Sequence, residues 1–311
     1  MTDGGRSVAF GAAMILGGVS ILGVIDNFVR FIAEHSGLWQ FHLVRTAMGL
    51  PLLLVAALLL GLGLAPRRPG RVLVRSLCNA AAMLLYFGAL PMMPIAQAGA
   101  ALFTAPIWVL VFSWALFRHR VGPRRLVAVG MGFAGVLVML RPDPASLDLV
   151  TLMPVAAGAL YGLGNLLTRE WCADEPVAAL LGGFFLMMGL ASAVALALIA
   201  WLAPAPEAAP FLLEGWRPTT AAFLGWVAVQ AAGSLLAVGM LYRGYQSGET
   251  SGLAVFEYGF LVVATLVAWA LWGETLDAAS YAGMALIAGS GGVLAWRART
   301  AEAAARTPRE A

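Results

Sequence analysis

The sequence predicts an all-α membrane protein of ten transmembrane helices, arranged as two inverted five-helix repeats. Ten apolar segments fill almost all of the 311 residues, and a bilayer core needs about 20 residues of helix to cross it. Composition is 61% hydrophobic and 11% charged, with mean hydropathy +0.86, far more apolar than a water-soluble core of this size requires. The apolar runs are continuous rather than alternating, which favours helices over a barrel.

Val8–Ile25 carries no charge, and its helix extends to about Val29. No small-x-small cleavage pattern follows it, so it reads as a retained helix rather than a signal peptide. Leu38–Leu62 comes next, interrupted by His42 and Arg45. Ser76–Phe117 is uncharged and twice too long for one span. Pro91 and Pro94 split it, since proline lacks the amide proton a helix uses. Leu126–Leu140 is short, but Arg125 and Arg141 can snorkel to the two interfaces. Leu149–Thr168, Val177–Leu202, Thr219–Tyr242, Thr250–Trp272 and Ala278–Trp296 complete the ten. Residues 298–311 form a polar, Ala-rich tail expected to be poorly ordered.

All 19 basic residues are arginine. With the N-terminus inside, 15 of them fall on the cytoplasmic side, among them Arg67, Arg68, Arg71, Arg75, Arg118, Arg120, Arg124 and Arg125. Arg30, Arg141 and Arg217 fall outside, and Arg45 lies within a span. This asymmetry predicts a cell (inner) membrane protein with both termini cytoplasmic. The basic balance reflects sidedness and comes with no nucleic-acid motif. Cys78 lies in a span and Cys172 in an inside loop, so no disulfide between them is expected. No metal-ligand cluster is present, and no cofactor is expected.

Trp114-Ala115-Leu116-Phe117 matches Trp269-Ala270-Leu271-Trp272 at a separation of 155 residues, and Leu126–Val136 falls on Tyr281–Gly291 at the same separation. The chain therefore divides into repeats at 1–143 and 144–297. Five crossings per repeat force the halves to face opposite ways, an architecture of transporters.

Polar residues recur at helical spacing within the spans: Ser20 and Asn27, Asn79 and Tyr86, Gln97 and Thr104, Tyr161 and Asn165, Gln230 and Ser234. Each pair shares one helical face. One such pair is ordinary interhelical hydrogen bonding; five pairs spread over both halves predict a polar cavity. The fifth and tenth spans lack such pairs and are expected to face lipid. Glu257 lies in the ninth span, where a carboxylate costs roughly 2.5–3.5 kcal/mol and needs a partner, a proton or water. Asp26 ends the first span, and Arg30 one turn on can pair with it. Arg45 either binds a carboxylate or phosphate of a solute or locks Asp26. Tyr258 either stacks on a ligand or packs.

Several stretches resemble the EamA-type carriers of the drug/metabolite transporter superfamily, over roughly residues 10–297. They are Leu85-Tyr86-Phe87-Gly88-Ala89-Leu90 leading to Pro94, Phe103-Thr104-Ala105-Pro106, and Gly132 through Pro142. Phe256-Glu257-Tyr258 with Trp272-Gly273-Glu274, Ile25-Asp26-Asn27, and Phe41 through Arg45 resemble a subgroup that includes carriers for riboflavin and S-adenosylmethionine. The resemblance implies a cavity between spans one to four and six to nine. One departure is clear. Such carriers commonly show Gly-Glu at the end of both the fourth and the ninth span; here the second copy keeps Gly273-Glu274 and the first has Arg118-His119.

The expectation is a secondary transporter of a small organic metabolite (an amino acid, a related zwitterion or a vitamin-like solute) working by alternating access, with proton coupling open at Glu257. Its partners would be the small-molecule substrate, the lipid bilayer and protons, and it would be a monomer or homodimer. The predicted pathway residues are Asp26, Asn27, Arg45, Asn79, Tyr86, Gln97, Thr104, Tyr161, Asn165, Gln230, Ser234, Glu257 and Tyr258. The rival class is a membrane-embedded enzyme acting on a lipid or acyl substrate, which needs a convergent acid, base or metal set. Only His35, His42 and His119 are available, with His119 expected on the opposite side. A channel would need charged rings or a filter segment, and neither is present in the sequence.

Overall fold

The computed structural model describes residues 3–89, 99, 101–141, 152–202, 210–248, 250–273 and 277–306. Among the described residues the long elements are all helical: α1 (Asp3–Ile25), α2 (Leu38–Leu60), α3 (Pro69–Ala89), α4 (Ala105–Ala115), α5 (Pro123–Leu140), α6 (Leu152–Glu170), α7 (Val177–Leu202), α8 (Ala221–Ser247), α9 (Gly259–Trp272) and α10 (Ala278–Arg306). Seven segments, those of α1, α2, α3, α5, α7, α8 and α9, are long and apolar enough to cross a membrane. α4 is a shorter apolar helix, and Pro91 and Pro94, the predicted split before it, lie outside the described residues. In α6, Tyr161, Asn165 and three glycines dilute the hydropathy.

Helix direction follows from the pairs of residues that meet. Gly11 lies against Gly244 and Gly233 against Ile25, so α1 and α8 are antiparallel. Gly259 lies against Leu16 and Gly23 against Ala264, so α1 and α9 run the same way. Arg75 bonds Thr168 and Gly88 faces Met153, so α3 and α6 are antiparallel. Gly158 lies against Leu102 and Gly162 against Val109, so α4 and α6 run together. α2 packs on α7, and α5 packs on α10. Exchanging each helix for the one five places along maps these pairings onto one another: α1 with α8 onto α6 with α3, and α1 with α9 onto α6 with α4.

A close seam joins α5 to α10. A Cβ on Gly135 would sit 2.8 Å from the Gly283 carbonyl oxygen, and one on Gly283 would sit 2.7 Å from that of Gly135. Small residues let the two backbones touch, which is how helices associate where water supplies no drive. The outward face of α5 exposes Leu126 and Val127.

α4 and α9 also end alike. Arg118 has φ 55° and Gly273, 155 residues on, has φ 67°. Both chains turn through the left-handed region, which suits glycine and costs a residue with a Cβ about 1 kcal/mol.

Four expectations are corrected. The third helix begins at Pro69 rather than Ser76, so Arg75, expected outside the span on the cytoplasmic side, is a fully buried helix residue. Its Nε donates to Thr168 Oγ1 at 2.8 Å, its Nη1 to the Leu180 carbonyl at 3.2 Å, and its guanidinium lies 3.5 Å from the Tyr242 ring centroid. α1 stops at Ile25 and gives way to a 3₁₀ turn, Asp26–Phe28, then a short helix, Val29–Ala33. There Asn27 Nδ2 donates to the Gly23 and Ala264 carbonyls at 2.7 and 3.2 Å, side-chain bonds that compete with the regular ladder. The ninth predicted span is broken into a short helix, Thr250–Leu253, a 3₁₀ stretch, Ala254–Tyr258, and α9. The tail is helical as far as Arg306, as its alanine content favours.

Arg141, at the end of α5, forms an ion pair with Asp277, the residue before α10. Asp277 also accepts from the Ser280 amide at 2.9 Å and the Ser280 hydroxyl at 2.8 Å. Those Ser280 bonds, with the Arg141 guanidinium, hold its carboxyl down to about 2 from an ordinary 3.8. A depressed carboxylate contributes stability above its unfolded value and loses it as pH falls through the folded one. In detergent-solubilised protein, wild type should therefore lose thermal stability between about pH 4 and pH 2, and Asp277→Asn should show a shallower loss over that window. Gly135→Leu should lower the unfolding temperature by an amount equivalent to about 1–3 kcal/mol, because an added side chain meets backbone rather than a movable neighbour.

Candidate transport cavity

Among the described residues, a cavity of about 150 Å³ is lined from α1 to α4, from α6 to α9 and from the turns preceding them, with nothing from α5 or α10. Its walls are largely apolar and aromatic: Phe87, Phe103, Phe184, Tyr242 and Phe260. Polar groups occupy two regions of it, one around Asp26 and one around Glu257.

At the first region, the 3₁₀ turn after α1 carries Asp26 into the wall. Gln230 of α8 donates through Nε2 to the Ile25 carbonyl at 2.8 Å and to Asp26 Oδ1 at 3.5 Å. It thereby ties the free end of α1 to α8. Arg45 of α2 is 7% exposed and lies between the rings of Phe41 and Phe185, at 5.2 and 5.6 Å. It forms no ion pair with Asp26, and its Nε has no hydrogen-bond partner among the described residues. His42, one helical turn before Thr46, is buried with both ring nitrogens unpartnered among the described residues, packed against Phe41 and Phe87.

At the second region, the break before α9 places Glu257 on 3₁₀ backbone, 6% exposed. Three donors converge on its Oε1: Asn165 Nδ2 at 3.2 Å, Tyr161 Oη at 3.3 Å and the Tyr245 hydroxyl. Two come from α6 and one from α8, so this carboxylate gathers three segments of the second half. Asn79 of α3 lies beside this group against Gly164, which has no side chain to block it; a Cβ there would sit 1.9 Å from Asn79 Oδ1. Both polar atoms of the Asn79 carboxamide, and Asn165 Oδ1, are buried without a partner among the described residues. Beyond Glu257, Arg75 holds α3 to α6 and α7. Gln246 donates to the Cys172 and Glu175 carbonyls, both at 2.8 Å. Glu175 in turn accepts the Arg67 and Arg68 amides at 2.7 Å.

Of the predicted pathway residues, Asp26, Arg45, Asn79, Tyr86, Tyr161, Gln230, Ser234 and Glu257 line this one cavity, and Asn165 holds Glu257 from the side. Three others are elsewhere. Asn27 fastens α1 to α9. Thr104 donates to the Ala101 carbonyl at 2.6 Å and packs against Gly158. Tyr258 is fully buried between α5 and α10; a Cβ on Gly132 would meet its ring at 2.3 Å. Gln97, Glu274 and the Arg30 side chain lie outside the described residues. Tyr245 was missed, because the eighth span was expected to end at Tyr242 while α8 runs on to Ser247. The signal was present: Gln230, Ser234, Val238, Tyr242 and Tyr245 recur every three or four residues along one face.

Residues 9–141 match the EamA-like transporter family. A riboflavin transporter of Rhizobium johnstonii is 29% identical over 53% of this chain and 55% of its own length. An S-adenosylmethionine uptake transporter of Rickettsia prowazekii is 19% identical over 66% of each chain. The chain thus matches between about half and two thirds of these relatives' lengths. A solved crystal structure with TM-score 0.75 and 22% identity covers 96% of this chain and 99% of its own. At that identity the likeness concerns the fold, which this chain shares along nearly its whole length.

Removing one donor from a buried carboxylate costs more than removing an exposed hydroxyl. Tyr245→Phe should lower stability by about 1–3 kcal/mol, read as a drop in unfolding temperature, and Tyr281→Phe, at an exposed tyrosine, should leave it unchanged.

Proposed function

We propose that this protein is a secondary transporter that moves a small organic metabolite across the cell (inner) membrane by alternating access, with both termini in the cytoplasm. The observation that carries the reading is Glu257: a carboxylate seated in a helix break, in the wall of an interior cavity, and held by side-chain donors alone. Irregular backbone inside a membrane is tolerated where it lines such a cavity, and discontinuous helices mark binding sites in transporters. The exchange of helix pairings between 1–143 and 144–297, with α1 and α6 each running opposite to its partner across the exchange, supports two inverted repeats. Two similar halves can swap conformations and so open the cavity to either side.

The solute class follows from the wall chemistry. Aromatic faces suit a flat ring, and Arg45 with Asp26 and Glu257 suits a solute bearing both charges or a polar heterocycle. The relatives named for riboflavin and S-adenosylmethionine fall in that range. Glu257 is the coupling residue in this reading: it releases a proton when the cavity opens to one side and takes one up when it opens to the other.

Purified protein in proteoliposomes should accumulate radiolabelled riboflavin or S-adenosylmethionine when a pH step is applied. Glu257→Gln should abolish accumulation against a gradient while leaving solute exchange at equal concentrations. A Glu257→Gln protein that accumulates solute as wild type does would remove the proton role. Absence of saturable counterflow for every flat or zwitterionic solute tried would remove the carrier reading.

A further inference from the structure

Among its described lining residues the transport cavity has two acids, Asp26 and Glu257, and one base, Arg45. The acids are met by the protein. Gln230 Nε2 donates to Asp26 Oδ1 at 3.5 Å, and Tyr161, Asn165 and Tyr245 donate to Glu257 Oε1. The base is treated differently. Among the described residues no hydrogen bond or ion pair reaches the Arg45 guanidinium, and its Nε is fully enclosed without a partner. Phe41 and Phe185 attract the cation through their ring faces, and an aromatic face offers no oxygen to an N–H group. Arg75 is the other buried arginine of the described residues. It lies off the cavity and is given Thr168 Oγ1 and the Leu180 carbonyl, which leaves its Nη2 alone without a partner. The arginine away from the cavity is thus supplied with acceptors, and the one in the cavity wall is not.

A cation inside a membrane needs a counter-charge or an acceptor. Asp26 is within electrostatic reach of Arg45, yet it bonds Gln230 instead, so Arg45 does not serve as its lock. The missing acceptor then comes from what enters the cavity. A guanidinium matches carboxylate and phosphate alike, with two parallel N–H bonds to two oxygens. Asp26 separates the two. A phosphate monoester carries about 1.5 to 2 negative charges at neutral pH, more than one guanidinium offsets, and meets the stronger repulsion from a neighbouring carboxylate. We propose that Arg45 anchors a carboxylate of the transported solute and that Asp26 beside it selects against phosphorylated solutes. The assignment rests on this cavity being the transport pathway. Of the solutes named for the two relatives, S-adenosylmethionine carries a carboxylate and riboflavin does not, so zwitterions of the first kind are the better match.

The test is equilibrium binding rather than transport, so that the anchor and the carrier reading can fail separately. Purified full-length protein in detergent is titrated calorimetrically with S-adenosylmethionine and its decarboxylated analogue. A second set is L-tryptophan, tryptamine and the aminophosphonic analogue of tryptophan. In wild type at least one carboxylate should bind roughly tenfold or more tightly than its decarboxylated counterpart, and the phosphonate should bind more weakly than the carboxylate. Arg45→Gln should lose the preference for the carboxylate. Arg45→Lys keeps the charge without the paired donors and should retain part of it. Equal affinity of wild type for both carboxylates and their decarboxylated counterparts would overturn the proposal without any variant. So would a carboxylate preference that survives in Arg45→Gln, or a phosphonate bound more tightly than the carboxylate. Saturable riboflavin counterflow by a protein that binds neither carboxylate would overturn the anchor and leave the carrier reading standing. Carboxylate preference that depends on Arg45, with no counterflow of any solute, would support the anchor and remove the carrier reading.

Discussion

A carboxylate withdrawn from water has to be met by donors, and the interior of this bundle is organised around that requirement. Glu257 receives Tyr161 and Asn165 from α6 and Tyr245 from α8, all on one oxygen. Those bonds position two helices that are distant in sequence, and they make the 3₁₀ break before α9 a defined piece of structure rather than a frayed end. A buried ionisable group is weak evidence for stability. Here the carboxylate sits in the wall of the interior cavity, and the proposed function rests on that placement.

The surrounding scaffold meets the same demand by different means. Arg75 is as deeply buried as any side chain in the bundle, yet it finds a hydroxyl, a carbonyl and an aromatic face. Glu175 accepts two backbone amides, and Gln246 satisfies two carbonyls at the turn beside it. These bonds close one side of the bundle with polar groups paired to backbone. Near the cavity Asn79, Asn165, Arg45 and His42 carry buried atoms without a partner among the described residues, and so do Arg75 Nη2, Ser76 Oγ, Thr250 Oγ1 and Tyr258 Oη. Unpaired buried polar atoms are costly.

Much of the candidate site was legible as spacing. Asn79 with Tyr86, Tyr161 with Asn165, and Gln230 with Ser234 each lie on one helical face, and those faces turn to a common space. The misreadings share a cause. Arg75 falls on the cytoplasmic side in the sequence reading because charge is weighed there against lipid and not against a possible Thr168. Thr104 and Tyr258 belong to helix seams, where glycine on the neighbouring helix makes room for them. Periodicity says which residues share a face; it is silent on whether that face meets a cavity or a glycine groove.

The amino-acid order by itself determined the medium, the helical class and the positions of most long helices, because hydrophobic run length is a local property that a bilayer reads directly. It also determined the correspondence at 155 residues, including the departure at Arg118-His119. Only the tertiary structure decided that Glu257 and Tyr245 share a bond and that Arg75 reaches Thr168 and the Leu180 carbonyl. Each of these depends on how helices cross. That geometry is set by small residues packing backbone to backbone over distances no local pattern spans.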